Sequence, residues 1–433
     1  MKVAVIGNGG REHTIAWKLA QSSKVDEVIC IPGNGGTAHE KKCRNVEPAG
    51  ASFADVAKRE GCALAVVGPE NPLADGVADE LWAAGIPAVG PKKAAAQLEA
   101  SKDLAKDFMK KYGVACAKSE TFTDEKAALE YVEQQGAPIV IKADGLAAGK
   151  GVVVAKTLEE AKTAVTELMS GSAVGDAGKK LVIEEYLRGA EISVLSAVSV
   201  TPDFAKAGKA AVVPFLSARD HKRLLDGAEG PNTGGMGAVC PVDDFTDELK
   251  VQFQKNILEP TLRGLIEEGF DYRGFIFFGL MLTEQGPKCL EYNVRLGDPE
   301  TQVVLPMMDF DMVELCEAIT EGKLSSFNLK WKSGYQIAPV AVSGGYPKSY
   351  KKGFEIHIDE STVEKSGAKI FIAGASNSGA GLVTSGGRVL CCSAHGETFD
   401  EARAKSYSAL ESVSFEGMFY RKDIGLPGAA ESN

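Results

Sequence analysis

Along roughly the first hundred residues, short apolar runs (Val3 to Ile6, Val28 to Ile31, Leu64 to Val67, Ala88 to Val89) each end near Gly or Pro and alternate with helical stretches. That alternation predicts a small parallel α/β sheet, whose ligands collect at the carboxyl ends of its strands. A helix is expected from about Lys92 to Tyr112. Strand and helix signals then continue to about residue 200, with helices over Asp124 to Gln134 and Leu158 to Leu168 and strands at Ile139 to Lys142, Val152 to Val154 and Leu181 to Ile183. Phe275 to Leu282 reads as a buried strand, and the turn Glu284-Gln285-Gly286-Pro287 folds it into a hairpin with the strand that starts at Lys288. There, period-two alternation puts Cys289, Glu291, Asn293 and Arg295 on one face and Leu290, Tyr292 and Val294 on the other. The strand breaks at Gly297, where Asp298 is expected to cap a helix with Pro299 in its first position. A further helix runs from Asp311 to about Glu321. From Trp331 on, short strands (Ile337 to Val342, Phe354 to Ile358, Lys369 to Ile372, Val389 to Ser393) and a helix near Thr398 to Val413 predict a separate small β-rich domain. The fold class is therefore multi-domain α/β.

Composition narrows the picture. A chain of 433 residues exceeds one ordinary core, and 44% hydrophobic with 25% charged residues is the make-up of a soluble globular protein. A net charge of −11 argues against nucleic-acid or membrane binding by general electrostatics. No signal-peptide core and no apolar run of transmembrane length is evident, so a cytoplasmic protein is expected. The nine cysteines show no C-x-x-C pair and the five histidines no H-E-x-x-H arrangement. Chemistry is left to carboxylates, cations and backbone amides.

Four stretches carry such groups. Glu291 and Asn293 offer two hard oxygens to Mg²⁺, which completes its shell with water and substrate phosphates, and Arg295 beside them can hold an anion. Gly7-Asn8-Gly9-Gly10-Arg11-Glu12 resembles a dinucleotide fingerprint but has Glu12 at the third glycine position, so what survives is a bare-backbone approach to a helix amino terminus, suited to a phosphate. Ala143 to Gly151 lacks Walker spacing and is followed by a strand. A glycine loop between two strands, bracketed by Lys142 and Lys150, is instead a candidate lid over nucleotide phosphates. Finally, Arg219-Asp220-His221-Lys222-Arg223 precedes Gly230 to Gly237, a run dense in exposed backbone donors. His221 is a candidate base or a hydrogen-bonding group.

Taken together, the chain resembles the phosphoribosylamine-glycine ligases, the glycinamide ribonucleotide synthetases of purine biosynthesis in the ATP-grasp superfamily. The match covers nearly the whole chain. Its most specific motif is Arg295-Leu296-Gly297-Asp298-Pro299-Glu300-Thr301-Gln302-Val303, supported by Gly7 to His13, Lys142 to Gly151, Asp220 to Arg223, Gly230 to Ala238 and Tyr420 to Ile424. Gly35 stands where the family often has Ala, and Arg219 where it often has Gln. The resemblance implies an amino-terminal phosphosugar-binding α/β domain over residues 1–102, an ATP-grasp domain over 103–330 with a lid at about 124–190, and a carboxyl-terminal domain over 331–433. It implies ATP as co-substrate, Mg²⁺ or Mn²⁺ on Glu291 and Asn293, and a nucleotide site lined by Lys102, Lys142, Gly145, Gly149, Lys150, Gly151, Glu184, Glu185, Leu187 and Glu191. Arg295, Asp298 and Lys142 are the catalytic candidates. Gly9, Gly10, Arg11, Asn34, Glu70, Asp220, Lys222, Gly234, Gly235, Met236 and Gly237, with Arg295 and Asp298, are the candidates for glycine and 5-phosphoribosylamine. A monomer or weak dimer is expected. The competing readings are another ATP-grasp carboxylate or bicarbonate ligase, a non-catalytic metabolite-binding protein and, more remotely, a nicotinamide oxidoreductase.

Overall fold

The structure, a computed structural model, describes residues 1–146, 151–171, 174–379 and 381–430. The amino-terminal apolar runs form parallel strands β1 (Lys2–Gly7), β2 (Glu27–Pro32), β3 (Cys43–Asn45), β4 (Leu64–Val67) and β5 (Ala88–Pro91) in the order β3-β2-β1-β4-β5, with helix α1 (Gly10–Ala20) leading from β1 towards β2. β1, β2, β4 and β5 are buried almost throughout, as parallel strands covered on both faces must be, while the edge strand β3 is partly exposed. After them the expected single helix is two, α2 (Lys93–Ala100) and α3 (Lys102–Tyr112). The break is at Ser101, which takes extended backbone angles and accepts a hydrogen bond from the Leu104 amide at 3.1 Å. Ser competes for backbone donors in this way, so it starts the second helix instead of continuing the first.

A four-stranded antiparallel sheet follows in the order β6 (Ser119–Phe122), β9 (Leu181–Glu185), β7 (Ile139–Ala143), β8 (Val152–Ala155). Helices α4 (Glu125–Gln135) and α5 (Leu158–Met169) pack on it through Ala128, Val132, Ala161 and Val165, giving this unit its own small core. Long strands β10 (Ala190–Val200) and β11 (Ala211–Asp220), then β12 (Gly237–Cys240), β13 (Tyr272–Thr283) and β14 (Gly286–Asn293), make the central antiparallel sheet. One strand joins it to the amino-terminal sheet: Tyr272 and Arg273 of β13 pair with Pro91 and Gly90 of β5, and from Phe277 onward the same edge pairs with β14.

The carboxyl-terminal strands do not form an isolated sheet. β15 (Tyr335–Val342), β16 (Lys369–Ile372) and β17 (Arg388–Gly396) extend the same sheet past β12 through Gly237–Pro339 to Cys240–Gln336 pairing. Of the strand expected over Phe354 to Ile358, only His357–Ile358 forms. Among the described residues no helix is long and apolar enough to cross a membrane.

Candidate active site

The β13–β14 hairpin supplies the floor of the site, and its register corrects one expectation. Gly279 pairs with Glu291 while Leu280 pairs with Cys289, so Leu290 is an extra residue, a β-bulge. The alternation slips by one there. Glu291 and Asn293 keep a common face, whereas Cys289 turns into the core beside Tyr292. Past the strand, Asp298 does not cap a helix. Residues 298–300 form a turn, and the short helix Thr301–Val304 has Glu300 as its cap residue. The Asp298 carboxylate instead accepts from Gln302 Nε2 at 2.8 Å and from the Arg11 amide at 3.4 Å, with Arg388 Nη1 at 3.4 Å. Burial opposes its charge, but Arg388 and Arg11 prevail and hold it below the usual carboxylate range.

Facing the floor is a cleft lined by α3, β7, β9 and β14. Lys142 and Lys106 reach Glu184 from two sides, at 2.8 and 2.9 Å, and all three are buried. Burial disfavours the Lys142 ammonium, yet Glu184 and Glu291 raise it above the ordinary lysine range, so it stays charged. Lys102 is brought down by burial, with Glu291 only partly offsetting this, and its Nζ donates to Gly145 O at 2.8 Å. Asp144 accepts from the Ser101 hydroxyl at 3.3 Å and the Asp103 amide at 3.2 Å, tying the root of the glycine loop to the start of α3. Gly151 lines the cleft. Gly149 and Lys150 lie outside the described residues. Glu185, exposed and accepting from the Lys118 amide at 2.9 Å, and Leu187 stand at and beyond the end of β9, outside the cleft lining.

Glu291 is half-buried, and its withdrawal from solvent works against its charge. Lys222, Lys142, Lys102 and Arg295 outweigh that and keep it ionised. It makes no ion pair or hydrogen bond through its side chain among the described residues. Arg295 is committed to carboxylates: Glu99 at 2.7 Å, Glu70 at 3.3 Å, with Asn293 Oδ1 accepting from it at 3.3 Å. Glu99 also accepts from the Val294 amide at 2.7 Å.

The remaining substrate candidates divide. Glu12 folds back into the first glycine loop, accepting from the Gly9 amide at 2.6 Å, and a Cβ on Gly7 would lie 2.5 Å from its Cγ. The carboxylate thus fills the space a dinucleotide pyrophosphate would need. Arg11 is tied to Glu12 at 2.6 Å and Leu296 O at 3.1 Å. Gly10 abuts Gln302 of the signature turn. Asn34 is a staple: it donates to Asn8 O and Ile372 O and accepts from the Gly36 and Thr37 amides, so its side chain is spent within the fold. Met236 is wholly buried in the main core, and Gly237 is a β12 strand residue. Gly234 O accepts from Arg388 Nη1 at 2.5 Å, and Gly235 closes over Asp220 and Pro299. Lys222 pairs with Glu191.

His221 serves the fold and not as a base. Its Nδ1–H donates to Gly237 O and its Nε2 accepts from the Gly425 amide. Burial first, then Arg421, lowers its pKa to about 4. Because the unfolded chain takes up this proton more readily, the associated stability is present above about pH 6.5 and is lost as pH falls towards 4. We expect His221→Asn to flatten the stability slope across that window, by up to roughly 3 kcal/mol, in pH-dependent thermal unfolding.

Sequence reading missed Glu99, Lys106 and Arg388. Lys106 lies four residues after Lys102, one helical turn along the same face, and was the one with a local signal.

Comparison with known proteins places this geometry. Residues 1–99 match the phosphoribosylglycinamide synthetase N domain, 100–301 its ATP-grasp (A) domain and 336–427 its C domain. A phosphoribosylamine--glycine ligase of Clostridium acetobutylicum is 49% identical over 98% of this chain and 99% of its own, and one of Vibrio vulnificus is 45% identical over 99% of each. The crystal structure of phosphoribosylamine--glycine ligase from Thermotoga maritima aligns with a TM-score of 0.81 at 35% identity, over 98% of this chain and all of that one. The biotin carboxylase domain of the Hydrogenobacter thermophilus 2-oxoglutarate carboxylase, at 16% identity, TM-score 0.70, 96% of this chain and 91% of its own, shares the fold. With its two glutamate-clamped lysines, its paired oxygens on β14 and matches along nearly its whole length, the chain belongs to the phosphoribosylglycinamide synthetase family.

Proposed function

We propose that the protein joins glycine to 5-phosphoribosylamine at the expense of ATP, giving glycinamide ribonucleotide, ADP and phosphate through glycyl phosphate, as a cytoplasmic step of purine biosynthesis. The observation that carries this is Glu291: a half-buried, ionised carboxylate, without an ion-pair or hydrogen-bond partner among the described residues, ringed by four cations. Four cations around one carboxylate suit a ligand that brings both signs, phosphates for the cations and a metal ion for the carboxylate. Glu291 with the Asn293 amide oxygen forms the hard-oxygen pair that Mg²⁺ or Mn²⁺ uses beside substrate phosphates. Among the described residues no larger group of His, Cys, Asp and Glu competes for it. When bound there, the ion neutralises phosphate charge.

The chain's own groups do the rest by position and charge. Lys102 and Lys142 hold the triphosphate, with Glu184 and Lys106 fixing Lys142, and Gly145 and Gly151 border it. Glu185 and Leu187, just outside the cleft lining, and Glu191, paired with Lys222, would meet a nucleoside that extends past the cleft. Glycine's carboxylate attacks the γ-phosphorus and ADP departs. Asp298, kept ionised by Arg388, receives the glycine ammonium, and Arg295, steadied by Glu99, sits against the carboxylate end. Phosphoribosylamine then attacks the acyl carbon and phosphate leaves. The phosphosugar is bound by the amino-terminal loops around Gly9, Gly10 and Arg11, by Glu70, and by the Gly234–Gly235 turn with Lys222. The division is residues 1–102 for the phosphosugar, 103–330 for ATP with a lid at about 124–190, and 331–433 as support, in a monomer or weak dimer.

The direct test is ADP release with ATP, Mg²⁺ and glycine, with and without phosphoribosylamine, followed by product mass. Release that depends on both, with the amide as product, is expected. Release driven by bicarbonate or another carboxylate in place of glycine would overturn the assignment. A Cβ on Gly9 would crowd Glu12 Oε2 at 2.7 Å and approach Asp298 at 3.5 Å. Gly9→Val is therefore expected to raise the KM for the phosphosugar more than that for ATP, and equal rises would point to general misfolding.

A further inference from the structure

One face of the central sheet carries a row of side chains leading away from the oxygen pair. Glu291 on β14 lies opposite Gly279 on β13, Gly279 opposite Ser193 on β10, and Ser193 opposite Ala218 on β11. Directly paired residues point to the same face, so Glu291, Ser193 and, two positions past Ala218, Asp220 share it. Gly279 leaves a gap in the row of side chains, and Glu291 leans towards it, since a Cβ there would sit 3.2 Å from Glu291 Cγ. Two inter-strand steps, about 10 Å, separate the Glu291 and Ser193 backbone positions.

On the far side of that gap stands a second acidic pair. Ser193 Oγ donates to Glu300 Oε1 at 2.7 Å, and a Cβ on Gly235 would meet both Asp220 Oδ1 and Pro299 Cδ at 2.5 Å, which sets Asp220 beside the turn that carries Glu300. Neither has an ion-pair partner among the described residues. Asp220 Oδ1 is buried and accepts no hydrogen bond, and the Gly235 backbone closes over it so tightly that a Cβ there would come within 2.5 Å. Other carboxylates near this face are committed: Glu191 to Lys222, Asp298 to Arg388 and Gln302, Glu70 and Glu99 to Arg295, and Glu184 to its two lysines.

We propose that Asp220 and Glu300 form a catalytic carboxyl pair that accepts the proton released when the amine substrate attacks the activated glycyl carbon. This rests on the ligase reading above. The step balances: the C–N bond forms, the C–O bond to phosphate breaks with its electron pair leaving on phosphate, and the amine nitrogen passes one proton to the pair. Burial foremost pushes both carboxyls up, with their mutual repulsion adding to the shift of Asp220, against the pull of Lys222 and Arg388 on Asp220 and of Ser193, the backbone, Lys222 and Arg295 on Glu300, while Glu191 adds a further upward push on Asp220. A carboxyl raised in this way is a stronger base than a salt-bridged one.

Hydroxylamine, a stronger nucleophile that needs no enzymic base, provides the separating measurement. With ATP, Mg²⁺ and glycine, the parent enzyme should form the amide with phosphoribosylamine (generated from ribose 5-phosphate and ammonia) and the hydroxamate with hydroxylamine. Asp220→Asn is expected to cut amide-forming kcat by on the order of 10²-fold or more while hydroxamate formation stays within about threefold, and to remove the acidic limb of the amide pH profile. Glu300→Gln, isosteric and still able to accept from Ser193, should behave alike. Equal loss of both products in both variants, or unchanged amide formation, would overturn the proposal. A parent enzyme that makes neither product would instead bring down the ligase reading beneath it.

Discussion

Glu291→Gln should yield a folded protein whose turnover falls on the order of 10²–10³-fold. The substitution keeps the shape of the side chain and removes the one negative charge inside a ring of Lys102, Lys142, Lys222 and Arg295. With no ion-pair or hydrogen-bond partner of its own among the described residues, the side chain gives the fold little to lose, and the melting temperature is expected to stay within a few degrees. What disappears is the site's capacity to set a cation against the phosphates while the surrounding ammoniums hold them. Raising Mg²⁺ should not restore the rate. Near-parental activity at limiting Mg²⁺ would remove Glu291 from the metal role altogether.

Glu184→Gln should show the opposite balance, with stability as the leading loss. Two buried ammoniums, Lys106 and Lys142, depend on one carboxylate, whose own charge is disfavoured by burial and restored by Lys142 and Lys106. Neutralising a buried pair from one side leaves uncompensated charge and costs about 3–5 kcal/mol. Calorimetry should register this as a clear drop in the first unfolding transition, and saturating ATP should recover more stability in the variant than in the parent, because its phosphates substitute for the missing anion. The KM for ATP rises as Lys142 loses its fixed position. An unchanged transition would show that the two lysines find solvent and that Glu184 is not their clamp.

What could be read from the sequence was local. The amino-terminal strands and the two strands that flank the glycine loop are written in runs of a few residues, and each formed within one or two positions of its expected bounds. The Ser101 break was equally local and readable, since Ser followed by Lys-Asp is a helix start. The misplacement of Cys289 had a different origin: a bulge at Leu290 exists only in relation to β13, and alternation along one strand carries no trace of it. Arg388 is further from reach. It meets Asp298 and Gly234 across 90 and 154 residues, from a segment that reads only as the start of a strand. Met236 misled because a glycine-rich neighbourhood suggested exposure, whereas the loop turns inward there and its side chain joins the core. Asn34, similarly, looked like a ligand donor because its type suits one, but its bonds to Asn8, Ile372 and the next turn use every polar atom of the side chain.

The strand shared between β5 and β14 bears on the reaction proposed above. Because β13 pairs with β5 at Tyr272 and Arg273 and with β14 from Phe277 on, the amino-terminal loops proposed for the phosphosugar and the Glu291–Asn293 oxygens are carried by neighbours of one strand. On that proposal the spacing of the two reacting partners is set when the chain folds and not when they arrive. The four-stranded unit has a core of its own and meets the floor through the Asp144 contact with α3 and through the Lys142 contact with Leu290 O. Mutations that loosen that unit should therefore change how long ATP and the acyl phosphate are sheltered from water, seen as uncoupled ATP hydrolysis, while the alignment of amine and acyl carbon stays as it was.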